Sequence, residues 1–194
     1  MTRFSRGIKN NFGSKKGLVR FAKHQLLWYF GHYDRLSNIN FQSVQRLIFI
    51  CEGNICRSPV AELIAQNRGV RAASYGLSCT DNHPADPRAV AFAKHIGLDL
   101  SSHRTRNIAA YIYEPGDLLV GMEPRHLPKI ARALGPEAPT TLLGLFCRPP
   151  LTYLHDPFNS SPSFFTRCEE NVVAATEGLL QKAIWAHEEN RCNS

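Results

Sequence analysis

The sequence predicts an α/β protein in which a parallel sheet lies between two layers of helices. Three observations carry that expectation. Residues 47 to 50, Leu-Ile-Phe-Ile, form a short apolar run rich in branched side chains, as a strand buried on both faces requires. Strand-like runs recur at 71 to 76, 117 to 122 and 140 to 143. Between them lie segments with helical periodicity and helix punctuation, and such alternation implies crossover connections and parallel strands.

Residues 1 to 45 hold eight Lys and Arg against the single acid Asp34, whereas residues 46 to 194 hold fifteen of each sign. The formal net charge of +7 therefore resides in a basic N-terminal extension, partly helical or flexible, ahead of a neutral domain from residue 46 to 194. Within the extension Val19, Ala22, Leu26, Tyr29 and Tyr33 fall at helical spacing, with Lys16, Arg20 and Lys23 on another face. A helix of that kind suits an anionic membrane surface. A tail packing its aromatics on the core fits equally well, and a targeting peptide is a third option. No nucleic acid partner is expected, because no recognised motif accompanies the charge. Removing residues 1 to 45 is expected to leave catalysis intact and to lower membrane binding.

The strand at 47 to 50 runs into Cys51-Glu52-Gly53-Asn54-Ile55-Cys56-Arg57-Ser58-Pro59, and the run from Val60 to Gln66 that follows is helical in character. A loop between a strand end and a helix start points backbone N–H groups inward, and the helix N-terminus adds partial positive charge, so a dianion is favoured there. A thiol is a weak nucleophile until ionised, and an arginine together with a helix N-terminus favours the thiolate. Cys51 has both. Arg57 presents a planar fork able to grip two phosphoryl oxygens. Gly53 allows close backbone approach, and Asn54 tolerates the left-handed conformation of a tight anion nest. Ser58 can donate its hydroxyl to the thiolate, and Pro59 suits the first turn of a helix.

Further along, a strand at 71 to 76 precedes a polar loop through residue 84. Asp86-Pro87 opens a helix over 88 to 96 that Gly97 stops. Residues 104 to 111 read as a short helix. After the strand at 117 to 122, a helix over 124 to 134 ends at Gly135, and the last helix spans about 163 to 187. Most acids read as a solvated face, with Glu169 and Glu170 on the last helix and Glu62 near a helix surface. Asp156 differs, because 154 to 158, Leu-His-Asp-Pro-Phe, lies in a loop rich in Pro, Asn and Ser, where functional residues tend to sit. On residue chemistry alone it is as readily a turn residue.

Six scattered cysteines without a Cys-x2-Cys pair argue against a disulfide framework and a zinc site and for a reducing compartment. No apolar run approaches the roughly 18 to 20 residues of a membrane-spanning helix. The expected location is cytoplasmic, peripheral to the membrane if the extension docks there.

The spacing Cys-x5-Arg resembles the signature of cysteine-dependent phosphatases, and the fuller string from Cys51 to Pro59 is similar to that of the low-molecular-weight protein tyrosine phosphatase family. The resemblance extends over Ser74 in Ser-x-Gly, Asp86-Pro87, His103 in Ser-His-x-x-Arg, Met122-Glu123 with His126, and Asp156-Pro157-Phe158, and covers residues 46 to about 182. It implies a flavodoxin-like fold with four parallel strands in the order 2-1-3-4 and hydrolysis of phosphotyrosine through a phosphocysteine on Cys51. Asp156 is then the general acid and base, with Ser74 and His103 supporting the loop by hydrogen bonds. No metal or cofactor is expected. The same resemblance suggests a reversible disulfide between Cys51 and Cys56. His83, His126 and His155 read as surface histidines.

At the mouth of the pocket Ile55 favours phosphotyrosine, since similar phosphoarginine phosphatases carry threonine there. Glu52 would repel anionic substrates, Thr80 replaces a large apolar wall, and Phe158 keeps an apolar wall without a hydroxyl. A thioredoxin-linked arsenate reductase on the same scaffold would need further redox cysteines, and residues 87 to 130 contain none. A non-catalytic phosphate-binding module is the other alternative. The expected partner is a phosphotyrosine protein, for which bacterial relatives suggest a tyrosine autokinase.

Overall fold

A computed structural model of the chain describes residues 10 to 192 together with Gly7. At its centre β1 (Arg46–Cys51), β2 (Ala72–Gly76), β3 (Asp117–Gly121) and β4 (Thr140–Leu142) form a parallel sheet in the order β2-β1-β3-β4. β1 pairs on one side from Leu47↔Ala72 to Cys51↔Gly76 and on the other from Arg46↔Asp117 to Ile50↔Gly121. Being paired on both edges and covered on both faces, it is buried from its second residue to its last.

Side-chain alternation along the strands divides the core. Leu47, Phe49 and Cys51, with Leu118 and Val120, face α3 (Arg57–Asn67), α4 (Pro87–His95) and α6 (Pro162–Cys192). Ile48, Ile50 and Leu119 face α5 (His126–Leu134) through Ile130, and Ile108 and Tyr111 close that side. Because β1 lies between β2 and β3, the strand order reverses at its C-terminal end, where a crevice opens in sheets of this kind. The three-layer architecture and strand order are those expected.

Residues 104 to 107 do not form the expected helix. Bridges Pro84↔Arg104 and Gly76↔Asn107 hold them extended, and only Ile108–Ala110 make a 3-10 turn. Their backbone has tertiary partners: the Arg106 amide donates to Asn54 Oδ1 at 2.8 Å and the Gly76 amide to the Arg106 carbonyl at 2.8 Å. A local helix would forfeit both.

In the extension α1 (Lys15–Tyr29) starts at Ser14, whose hydroxyl accepts from the Gly17 amide at 3.0 Å. Gly17 is buried, and a Cβ there would lie 2.0 Å from the Phe12 carbonyl oxygen, so the close approach requires glycine. The helix ends before Gly31 at φ +77°, and a short α2 (Asp34–Ser37) leads to β1. Tyr33 lies beyond α1 and is buried. The face that meets the core is not the stripe singled out in the sequence. Val19, Leu26 and Tyr29 are 67%, 58% and 76% exposed, while Phe21, His24, Gln25, Leu27 and Trp28 turn inward. The inward face offers polar contacts that the stripe cannot: Gln25 Nε2 donates to the Pro150 carbonyl at 3.0 Å, and the His24 ring stacks on Tyr153 at 5.6 Å.

Candidate active site

β1 delivers Cys51, 2% exposed, to the mouth of the crevice, and the chain then curls through 52 to 56 before α3 begins at Arg57. The curl needs one left-handed residue, and Asn54 supplies it at φ +53°. Its amide donates to Cys51 Sγ at 3.2 Å, and Ser58 Oγ lies 3.0 Å from the same sulfur. Gly53 and Ile55 sit half-buried on the curl, and Cys56 occupies the N-cap position of α3. Cys51 and Cys56 are both free thiols, and burial, with the Glu169 and Asp86 carboxylates nearby, raises the Cys56 thiol far above its ordinary range.

Asn54 is also the hub that fixes the curl. Its Nδ2 donates to Ser58 Oγ at 3.0 Å and to Ser74 Oγ at 2.8 Å, its carbonyl receives the His103 Nε2 proton at 2.9 Å, and its Oδ1 takes the Arg106 amide. Burial lowers the His103 pKa, and because the Asn54 carbonyl can only accept, Nε2 is the nitrogen that carries a proton. The Ser74 hydroxyl donates to Glu62 Oε2 at 2.6 Å, and Glu62 Oε1 accepts from Arg106 at 2.8 Å. Glu62, read from the sequence as a surface acid, thus anchors the outer end of this network. Its mid-helix position gave no signal, because its partners come from other elements.

Arg57 is 1% exposed, and a buried cation needs compensation. It has two carboxylates: Nη1 donates to Glu123 Oε1 at 2.7 Å and Nη2 lies 2.9 Å from Asp156 Oδ2. Nη1 also donates to the Leu154 carbonyl at 3.0 Å, and Nε has no hydrogen-bond partner among the described residues. Burial alone would raise the Glu123 carboxyl, but the Arg57 and Arg125 guanidiniums bring it down to about 2. The sequence marked Glu123 without giving it a task, and its task is to aim Arg57. His126 is fully buried, not a surface histidine. Its Nδ1 accepts from the Met122 and Glu123 amides at 3.3 Å each, and burial with Arg57 nearby lowers its pKa to about 3. His155 is half-buried, and His83 alone of the three is exposed.

Cys51, Ile55, Arg57, Cys79, Thr80, Asp156 and Phe158 line a cleft of about 350 Å³. Asp156 is one-third exposed, and its Oδ1 accepts from the Phe158 amide at 3.2 Å. Thr80 and Phe158 are exposed at the rim, Phe158 by 55%. Glu52 does not confront a ligand as a free anion: Lys129 Nζ holds its two oxygens at 2.8 and 3.0 Å, and Arg125 lies 4.0 Å away. The rim there is neutral.

Glu169 departs most from its expected place. It is fully buried on the inward face of α6 between Cys168 and Val172, and neither carboxylate oxygen has a hydrogen-bond partner among the described residues. Burial pushes its carboxyl up to about 8, with the Arg57 charge only partly offsetting that. The periodicity of α6 placed Cys168 inside but could not separate Glu169 from its exposed neighbour Glu170.

A buried sulfur under amide and hydroxyl donors, beside a fixed cation and a half-open carboxyl, can hold an oxyanion, form a bond through sulfur and exchange a proton. Comparison with known proteins places this geometry. The profile described as "Low molecular weight phosphotyrosine protein phosphatase" matches residues 46–189. The chain is 31% identical over 155 residues to the "Low molecular weight protein-tyrosine-phosphatase Etp" of Escherichia coli (strain K12), spanning 78% of this chain and 97% of that protein. Among solved structures, Vibrio vulnificus Wzb in complex with benzylphosphonate is similar at TM-score 0.63 and 26% identity, over 72% of this chain and 99% of that one. The YwlE arginine phosphatase from Geobacillus stearothermophilus shares the fold at TM-score 0.64 and 24% identity, over 75% and 96%.

Proposed function

The protein belongs to the low molecular weight phosphotyrosine protein phosphatase family and is a cysteine-dependent protein tyrosine phosphatase; from that premise we propose a role for each residue of the site. The observation that carries the assignment is the convergence of Cys51 Sγ, the Arg57 guanidinium and the Asp156 carboxyl on one cleft. The Cys51 thiolate attacks phosphorus in line with the tyrosyl oxygen, forming the S–P bond as the P–O bond breaks. The amides of residues 52 to 57 and Arg57 hold the equatorial oxygens, and Asp156 hands its proton to the departing phenolate. Water, losing a proton to Asp156, then attacks the phosphocysteine and releases inorganic phosphate with the thiolate restored. Ser58 and the Asn54 amide stabilise that thiolate, and Glu123 fixes the fork of Arg57. Residues 46 to 194 form the phosphatase domain.

The substrate is a phosphotyrosine protein, with a tyrosine autokinase as the partner that resemblance to bacterial members favours. Ile55 on the wall and the neutralised Glu52 at the rim support an aromatic phosphomonoester. The purified enzyme should hydrolyse a phosphotyrosyl peptide at least about 100-fold faster, in kcat/KM, than the matching phosphoarginyl peptide. Equal rates on the two would remove the substrate assignment.

The outward face of α1 we assign to an anionic membrane surface. Val19 and Leu26 on the helix and Phe30 just past its end are exposed, as are Lys15, Lys16 and Lys23. No helix among the described residues is long and apolar enough to cross a membrane. Vesicles containing anionic lipid should therefore co-sediment the full chain, and Leu26→Glu with Phe30→Glu should weaken that binding by about tenfold or more. Equal binding to purely zwitterionic vesicles would rule the assignment out.

A further inference from the structure

The residue before Asp156 is packed by the extension. The His155 ring lies between extension and core, with Phe21 stacked at 6.2 Å and Phe12 edge-on at 6.0 Å from one side, and Tyr153 at 4.9 Å and Phe164 at 5.8 Å from the other. Phe12 and Phe21 are themselves in contact at 5.3 Å. Two further contacts tie the same loop to α1: Gln25 to the Pro150 carbonyl, and His24 stacked on Tyr153. His24 is fixed in turn by Tyr33, whose hydroxyl lies 2.6 Å from its Nδ1.

From the core side Arg57 reaches the Leu154 carbonyl, the Leu154 amide donates to the Met122 carbonyl at 3.2 Å, and the Leu151 amide donates to the Gly144 carbonyl at 2.8 Å. After Leu154, the Asp156 carboxyl is held by Arg57 and by its own turn with Phe158, with Arg125 Nη2 3.9 Å away, and His155 is its immediate neighbour in the chain. A cleft of about 250 Å³ lined by Phe12, Ser14, Arg20, Tyr153, His155 and Asp156 marks where extension and acid loop meet. The family match begins at residue 46, so the extension's half of this packing, Phe12, Phe21, His24 and Gln25, lies ahead of it.

We propose that α1 is a positioning element of the active site, clamping the acid loop through His155 so that Asp156 meets the leaving-group oxygen. This rests on the reading of Asp156 as general acid. It also reverses the expectation that the extension is dispensable for turnover. A misplaced acid slows departure of a poor leaving group far more than of a good one, so the clamp has a signature that mere loss of stability lacks.

The test uses the full chain and compares kcat/KM for phenyl phosphate and 4-nitrophenyl phosphate in the parent, Phe21→Ala, Gln25→Ala and Asp156→Ala, with Ala133→Ser at an exposed position of α5 as control. Phe21→Ala should cut the phenyl phosphate value about tenfold while changing the 4-nitrophenyl phosphate value less than about threefold, and should add nothing further in an Asp156→Ala background. Gln25→Ala, which removes one hydrogen bond and leaves the aromatic stack, should shift the ratio the same way by a smaller factor and serves should Phe21→Ala fail to fold. Ala133→Ser should match the parent. Equal losses on both substrates, no loss on either, or full additivity with Asp156→Ala would overturn the clamp. If Asp156→Ala itself leaves the ratio unchanged, the general-acid assignment fails instead, and the clamp with it.

Discussion

Cys51→Ser should reduce turnover of 4-nitrophenyl phosphate by on the order of 10⁴-fold or more while leaving inorganic phosphate binding within about tenfold of the parent. The substitution exchanges one atom and keeps the volume, so the loop should persist. What disappears is the nucleophile. A serine hydroxyl stays protonated near neutrality, and the groups around the sulfur cannot take its proton: the Asn54 amide is a donor, Ser58 Oγ is another hydroxyl, and Arg57 is a permanent cation. The anion-binding parts are untouched, because Arg57 remains aimed by Glu123 and the curl remains fixed by Asn54. Binding without turnover should make this variant a trap for the phosphotyrosine partner. Turnover comparable to the parent's, with an unchanged thermal melt, would end the phosphocysteine mechanism.

The second large effect is on stability. The Glu169 carboxyl ionises near 4.5 in an unfolded chain and near 8 in the fold. Between those values the folded protein keeps a proton that the unfolded chain has released, so the unfolding free energy falls as pH rises through that window and levels off above it. At about 1.4 kcal/mol per unit the total approaches 5 kcal/mol, an upper bound, since water can enter around an ionised buried group. Glu169→Gln removes the titration. Urea unfolding should show the variant gaining about 2 to 4 kcal/mol over the parent at pH 8.5 and almost nothing at pH 4.5. Glu123 acts in the opposite sense and in another window. Its pKa is depressed to about 2, so its contribution is present above 4.5 and lost as pH falls toward 2. The difference between parent and variant is therefore specific to Glu169, and parallel stability curves would show that its carboxyl does not titrate in this range.

The nucleophilic loop was legible because its parts are contiguous. Nucleophile, left-handed residue, cation and helix start fall within nine residues, and their spacing alone dictates a curl that points amides inward. Four strands and the main helices were legible for a related reason, since burial on both faces and a helix cap leave local patterns. The error at 104 to 107 shows the limit. That stretch carries helix-tolerant residues, yet its backbone is claimed by Asn54 and Gly76, partners from elsewhere in the chain. Glu62, Glu123, His126 and Glu169 were misread or left without a task for the same reason: a titratable side chain reads identically in sequence whether it meets water, an arginine or apolar packing.

The fold class, the excess charge of the extension and the Cys51 to Pro59 loop follow from residues alone, because each is a local pattern of period, cap or charge, whereas the role of Asp156 needed the family resemblance as well. Tertiary structure decided which face of α1 packs inward, that Arg57 is aimed by a glutamate 66 residues away, that Glu52 is neutralised by Lys129, and that Glu169 is buried. Charge and burial are properties of surroundings. Surroundings come from elements that only the folded chain brings together.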